Sequence, residues 1–484
     1  MNTPTTFRWF RQDLCLMCGR CLVNCPVLAL PEAVAVAEKK RLVSDAPESS
    51  LPFRYCTTCN VCDLACPQNA APYELVLECY DRQANRKGLP YIARMVLPDA
   101  PENIWAALRP LMSDRERELL TEWENNLNNK NEAVILTGFY TNLVPFLADL
   151  DIVKALDLPI AGSEGLWGCG GDTNKMGLIR QTEAVIDLVG KTFRNMGLLK
   201  AHCFMQAEAV MLTEVLPRFY GAGFDVSAQP LDYLILDRIN SGDIKITHPL
   251  NLTVTVHDNC MSRYLNGKPQ DVIRRLVEKT GCRIVEMAHN RDRALCCGWA
   301  ATIPALYTGT GNPFAAVGYL LYSLRRRLSE AEDTGADALV TSCPACYLFL
   351  TLIKTLTGSK IEIFHLLELV DRAAGGKPEK KTEERCWEIL AHTSTLIFNW
   401  MRSPRNRRYF PLPEINTDAV QPLGIPSPED TALTKRLTTL YKSRLAQNII
   451  VRRILAATVN LSARGYGIWM NHRKNRKLFA KTDH

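Results

Sequence analysis

Thirteen of the eighteen cysteines fall into groups whose spacing points to metal chemistry. Two runs share one pattern. The first reads Cys15-Leu-Met-Cys18-Gly-Arg-Cys21-Leu-Val-Asn-Cys25-Pro26, the second Cys56-Thr-Thr-Cys59-Asn-Val-Cys62-Asp-Leu-Ala-Cys66-Pro67. Two-residue gaps let three thiolates wrap three corners of one [4Fe–4S] cubane, and the proline turns the chain away after the fourth cysteine. Structural zinc prefers two separated pairs of ligands and fits these runs poorly. A further five cysteines lie at Cys260, Cys296, Cys297, Cys343 and Cys346, within HDNCMSRY, RDRALCCGWAA and VTSCPACYLF. Adjacent cysteines followed by glycine are hard to explain as scattered core residues.

In two-cluster ferredoxins the last cysteine of each run ligates the other cluster. That pattern predicts Cys15, Cys18, Cys21 and Cys66 around one cubane, and Cys56, Cys59, Cys62 and Cys25 around the other. The thirty residues between the runs leave room for a helical insertion. Thiolate ligation of this kind needs a reducing, anaerobic setting, and clustered C-x-x-C spacing in a long chain speaks against a disulfide framework.

The spacing C…CCG…C-P-x-C resembles the CCG domain of heterodisulfide reductase catalytic subunits. Similar domains occur in the small subunit of anaerobic glycerol-3-phosphate dehydrogenase and in subunits of sulfate-reducer membrane redox complexes. The resemblance covers residues 1 to about 370. It implies a non-cubane [4Fe–4S] cluster held by Cys260, Cys296, Cys297, Cys343 and Cys346, at which a substrate disulfide is cleaved by two one-electron steps. An earlier stretch looks like a degenerate copy. It has no cysteine near Gly138-Phe139-Tyr140, Gly168-Cys169-Gly170 in place of the pair, and Cys203-Phe204-Met205-Gln206 in place of C-x-x-C. Two cysteines cannot hold a five-cysteine cluster, so this copy is expected to keep the fold without the metal.

The elements that must position these residues follow from pattern. β-rich runs at 133–137, 252–256, 283–287 and 338–341 alternate with helical stretches at 175–194, 271–279 and 315–330, which predicts parallel α/β layers. Cys260 and Cys343 follow two of these strands, at the strand ends where α/β sheets place their ligands. The expected fold is α/β with an N-terminal helical two-cluster ferredoxin domain (1–130). A degenerate first CCG unit (131–250), an intact second unit (251–371) and a basic linker and helical tail (372–484) follow. One helix is expected across 103–126, another across 434–461, and irregular chain across 403–428. The tail carries 21 lysines and arginines against 9 acidic residues, a net of +12, so the rest of the chain stands at −5.

Of the other cysteines, Cys79, Cys203, Cys282 and Cys386 read as core residues, and Cys169 as a candidate to face the active cluster. His257, Asp258 and His289 are candidate proton donors by their nearness to the cysteines. There is no dinucleotide fingerprint and no Walker sequence. No stretch reaches 18 uncharged apolar residues and the N-terminus has no signal-peptide core, so the chain is expected not to span a membrane. The expected function is an iron–sulfur electron-transfer subunit of an oxidoreductase, heterodisulfide reductase-like, acting on a thiol/disulfide couple. The alternative is a pure relay linking a dehydrogenase or cytochrome to the quinone pool. Expected partners are a membrane cytochrome or quinone-reactive subunit and a flavoprotein or other redox subunit, not nucleic acid. The expected place is cytoplasmic, peripherally on the inner membrane, with the basic tail as docking element.

Overall fold

The computed structural model describes residues 6–44, 46–265, 268–308, 312–403 and 409–479. Residues 404–408 and 480–484, and the side chains of the basic residues Arg476 and Lys477, lie outside the described residues. Among the described residues, ten strands run in chain order: β1 (Leu89–Pro90), β2 (Ala133–Leu136), β3 (Ile160–Ala161), β4 (Lys200–Cys203), β5 (Ser227–Pro230), β6 (Thr253–His257), β7 (Arg283–Ile284), β8 (Ala338–Thr341), β9 (Glu362–His365) and β10 (Tyr409–Phe410). They form two four-stranded parallel sheets, ordered β3-β2-β4-β5 and β7-β6-β8-β9, and a short antiparallel β1–β10 pair. Each sheet starts at its second position, steps out to one edge, then crosses back to the other side. The protein is thus a mixed helix and parallel-sheet α/β structure.

Both sheets are largely buried on both faces by helices on either side, buried Thr255, His257 and His202 included. Val134, Ile135, Ala201, Val254, Val256, Leu339 and Val340 are fully buried. The cysteine runs sit among helices. Glu32–Val43 and Leu51–Tyr55 fill the interval between the runs, and Pro72–Lys87 follows the second.

The two runs adopt one backbone. The second and fourth residues after the leading cysteine are left-handed in each: Met17 (φ 52°) and Gly19 (φ 72°), then Thr58 (φ 48°) and Asn60 (φ 65°). A short helix starts directly afterwards, Arg20–Val23 in one and Val61–Leu64 in the other. Gly19 has a second reason to be glycine. A Cβ there would stand 2.7 Å from the Val36 amide nitrogen.

Several predicted elements differ in detail. The expected helix over 103–126 is two, Ile104–Leu108 and Asp114–Asn126. Pro110 interrupts it, and Ser113 and Glu116 form a capping box that starts the second. The 175–194 stretch divides into Gly171–Lys175 and Ile179–Met196 around Gly177, which is left-handed (φ 69°). The 283–287 strand shortens to two residues. The expected 434–461 helix is two helices, Pro428–Lys442 and Ile449–Phe479, because Ser443 turns extended.

The region from 372 onward does more than link and trail. The helix Thr382–Arg402 is embedded in the body through buried Cys386, Ile389 and Leu396. Arg385 there bridges Glu116 and Glu388, all three buried. The last helix lays Val459, Ala463 and Met470 against the body and leaves Ile450, Ile454, Leu461 and Ile468 outside. Among the described residues, no helix is long and apolar enough to cross a membrane.

Candidate functional site

Two cysteine gatherings result. In the first, Cys21 lies beside Cys15, Cys18 and Cys66; burial raises its thiol, buried Lys39 opposes that, and these three sulfurs add to it. Cys56 lies beside Cys59 and Cys25, and Cys25 beside Cys59. Burial pushes Cys25 up to about 11. The fourth cysteine of each run has therefore crossed to the other run's neighbourhood. Backbone amides donate to the sulfurs of Cys25 (Leu28, 3.4 Å), Cys56 (Thr58, 3.3 Å) and Cys66 (Ala70, 3.4 Å). Such N–H···S bonds tune the potential of any cluster the sulfurs hold.

In the second gathering, Cys260, Cys296, Cys297, Cys343 and Cys346 line one cavity of about 180 Å3. Cys260 stands three residues beyond β6 and Cys343 two beyond β8, neighbours in the sheet. Cys343 caps the helix Pro344–Thr357, which puts Cys346 in its first turn. Gly298, at φ 111°, supplies the turn after the pair, where a Cβ would press into Leu324 at 2.9 Å. The sulfurs of Cys296, Cys297, Cys346 and Cys343 are successive hydrogen-bond neighbours. Cys297 is held well below the usual thiol range by its bonds to Cys296 and Cys346. All eighteen cysteines are free thiols. A donor set made wholly of converging thiols suits iron–sulfur chemistry.

The two gatherings adjoin. Arg263, buried, donates to the carbonyl of Cys59 (2.8 Å) and to those of Asp292 and Ala294 just before the cysteine pair. Tyr73 lies close to Cys56, Cys62 and Cys260 together.

Of the proton-donor candidates, Asp258 and His289 are engaged in ion pairs, and His257 stands beside Cys297 and Cys346. Asp258 is bound by both terminal nitrogens of Arg274 (2.8 and 3.0 Å) and accepts from the Arg291 amide, so its carboxyl is held low against burial and serves to tie the loop. His289 is paired with Glu330 at 2.6 Å and does not line the cavity. His257 Nδ1 accepts from Arg327 (2.9 Å); a guanidinium only donates, so the ring proton resides on Nε2. Burial depresses this imidazole, and one of its ring nitrogens lies within 4.8 Å of the Cys297 and Cys346 sulfurs.

The charged side chains that line the cavity, and Tyr140 beside them, come from the first sheet's unit, and sequence reasoning missed them. Lys175 Nζ is 2.9 Å from Cys260 Sγ. Burial alone would depress the ammonium, but the adjacent sulfur outweighs it. Tyr140 donates to Asp172 at 3.1 Å and accepts from Trp299 Nε1 at 2.8 Å. Burial raises Asp172 to about 6 and Glu208 to about 8. In the sequence Gly170-Gly171-Asp172 reads only as a glycine turn, because its neighbours across the cavity are far away in the chain.

Strand register also corrects the comparison of the two units. Cys203 is the last residue of β4 as Thr341 is of β8, so Met205 and Glu208 stand where Cys343 and Cys346 do. Both following helices are capped alike, by Met205 and by Cys343. Cys203 therefore does not occupy a place equivalent to any of the five cavity cysteines. Cys169 does, before left-handed Gly170 as Cys297 is before Gly298, but it is buried away from the cavity, whose wall takes Gly168 instead.

A cysteine-rich domain family, CCG, matches residues 254–351. The chain is 24% identical to a subunit of the dihydromethanophenazine:CoB–CoM heterodisulfide reductase of Methanosarcina barkeri, over 77% of this chain and 96% of that protein. It is 23% identical to a probable membrane-anchored ferredoxin of Chromohalobacter salexigens, over 78% of this chain and 62% of that one. It is also 23% identical to the probable iron-sulfur-binding oxidoreductase FadF of Bacillus subtilis, over 34% of this chain and 22% of that protein. With five cysteines of the matched domain on one cavity wall, the chain is an iron–sulfur redox protein that carries a CCG cysteine-rich domain and is related to this heterodisulfide reductase component and to ferredoxin-type iron–sulfur oxidoreductases.

Proposed function

We propose that this chain is the iron–sulfur subunit of an oxidoreductase that exchanges electrons with a thiol/disulfide couple at the five-cysteine cavity. Cys15, Cys18, Cys21 and Cys66 would hold one [4Fe–4S] cubane, Cys56, Cys59, Cys62 and Cys25 a second, and Cys260, Cys296, Cys297, Cys343 and Cys346 a non-cubane [4Fe–4S] cluster, which together supply one-electron transfer. The observation that carries the reading is the meeting of five thiols from three distant segments on one cavity wall beside the second cysteine run.

Reduction of a disulfide takes two electrons and two protons and yields two thiols. The chain's own residues serve the proton and charge side. Lys175 puts a cation against the Cys260 sulfur on the cavity wall, where it can stabilise negative charge. Asp172 and Glu208, raised by burial, can carry protons near neutral pH. Tyr140 fixes the Asp172 carboxyl toward the cavity. Iron analysis of anaerobically prepared protein tests the ligand assignment. About twelve iron atoms per chain are expected, four for each of three clusters; a value near eight would remove the five-cysteine site from the reading.

The partner is a membrane protein or the anionic membrane surface itself, reached through the last helix. Ile450, Ile454, Leu461 and Ile468 recur at helical spacing on its outer face, and exposed Arg453 and Arg464 lie among them. A likeness to a protein named as membrane-anchored supports this. Each basic residue near an anionic surface contributes on the order of 1 kcal/mol. Arg453→Gln is expected to weaken partition onto anionic vesicles about fivefold in a co-sedimentation assay, with iron content unchanged. Binding insensitive to this change and to salt would refute membrane docking by this helix.

A further inference from the structure

We propose that Lys474 and Arg326 are positioning residues that raise the reduction potential of the second cubane by holding two cations on the turn Cys25-Pro26-Val27; this rests on the assignment of Cys25 to that cubane above. The last helix, Ile449–Phe479, sets Tyr466, Met470 and Lys474 four residues apart, one stripe along successive turns. Tyr466 stacks on Tyr319 with ring centroids 5.6 Å apart. Met470 is fully buried in one apolar cluster with Cys21, Leu22 and Leu28. Lys474 Nζ donates to the Val27 carbonyl at 2.9 Å. Arg326, from the helix Pro313–Glu332, donates to the neighbouring Pro26 carbonyl at 3.1 Å. Two cations thus close on the two residues that directly follow Cys25.

The two helices are built to approach each other here. A Cβ on Gly467 would stand 2.8 Å from the Tyr322 ring, and one on Gly318 would stand 3.1 Å from the Tyr466 ring. Tyr319, beneath Tyr466, donates to the carbonyl of Tyr55 at 2.7 Å, the residue before Cys56. The seated helix therefore fixes the chain beside two sulfurs of one ligand set, Cys25 and Cys56. The Cys25 sulfur feels the ammonium: burial raises the thiol, and Lys474 works against that rise. Among the described residues, neither cation is paired with a carboxylate. One-electron reduction adds one negative charge to a cubane and breaks no bond. Cations fixed beside one of its ligands favour the added charge and so raise its potential. Lys474 and Arg326 are partly buried, which limits screening by salt.

The test is a reductive titration of anaerobically prepared full-length protein, followed by EPR of the two cubanes. Cys25→Ser marks the second cubane as the signal that it alters or removes. Lys474→Gln is expected to lower the midpoint of that signal alone, by about tenfold in its reduction equilibrium, or about 59 mV for one electron. Arg326→Gln should lower the same midpoint, and Lys474→Arg should restore it. Lys435→Gln, which removes an exposed charge from the helix Pro428–Lys442, should move neither signal. An unchanged midpoint in Lys474→Gln with iron content intact, or an equal shift of both cubanes, would overturn the proposal and leave the cluster assignment standing. If Lys474→Gln loses iron, Arg326→Gln decides, and an unchanged midpoint there overturns the proposal. Unaltered protein without two cubane signals would overturn the assignment itself, and the proposal with it.

Discussion

The two parallel sheets have the same strand order and opposite endowments. Beyond β6 and β8 stand Cys260, Cys343 and Cys346; at the corresponding places beyond β2 and β4 stand Phe139, Met205 and Glu208. Where the second unit has Cys296-Cys297-Gly298, the first has Gly168-Cys169-Gly170. The fold tolerates this because its stability comes from elsewhere. Buried strands, helices on both faces and left-handed glycines at the same turns are common to both units.

The vacated places have not become plain core. Glu208, in the position of Cys346, accepts a hydrogen bond from the Phe139 amide at 3.3 Å and crowds Gly138, where a Cβ would stand 2.5 Å from the carboxylate. Lys175 and Asp172, one helix turn beyond Gly170, reach across to the other unit's cavity. One unit presents sulfur and the other presents charge and protons. A duplicated fold can divide the parts of one site in this way once its two cavities' walls face each other.

The largest effect is expected from Cys297→Ala. It should remove about four of twelve iron atoms and all thiol/disulfide turnover, while the signals of the two cubanes persist in anaerobic EPR. Retention of all iron would break the contrast between the units. Next comes Lys175→Met, which takes away the first unit's cation at Cys260. A loss of roughly a hundredfold in kcat with iron content intact is expected, the scale of a misplaced proton or charge donor. An unchanged kcat would mean that the first unit only walls the cavity.

A smaller, pH-dependent effect belongs to Glu208. Its folded-state pKa is raised by burial from 4.5 to about 8, so its protonation favours the folded state fully below about 4.5 and that support fades as pH rises through about 8. Unaltered protein should therefore lose stability between pH 5 and 8.5 relative to Glu208→Gln, by on the order of a few kcal/mol. Parallel Tm curves for the two proteins over that range would contradict the assignment. Cys169→Ala should do least. The position matches Cys297, yet the change should leave iron content and turnover as they were and cost about 1 kcal/mol of packing. Loss of iron here would show that the first unit still holds metal.

Much of the site was legible in local sequence, because cysteine spacing is a local property. The paired left-handed residues at Met17 and Gly19, and at Thr58 and Asn60, repeat because the runs repeat. The adjacent Cys296-Cys297-Gly298 and the C-P-x-C at Cys343 point to a convergent thiol set by spacing alone. Helix limits were less legible. Pro110, Gly177 and Ser443 end helices that periodicity alone would have continued.

Sequence by itself determined the grouping of the cysteines, the two four-cysteine runs, the alternation of strand and helix and the concentration of positive charge after residue 372. Tertiary structure alone decided which groups share a cavity. Lys175 meets Cys260 across 85 residues, and Trp299 meets Tyr140 across 159. Strand register, not nearness to C-x-x-C, decided that Glu208 and not Gln206 replaces Cys346. It took the folded chain to show that Asp258 is tied to Arg274 and that His257 receives Arg327 on Nδ1, since a side chain's partners depend on which elements pack together. Spacing along a chain constrains what one loop can bind; the far wall of the site is set by packing between elements whose separation in sequence carries no distance information.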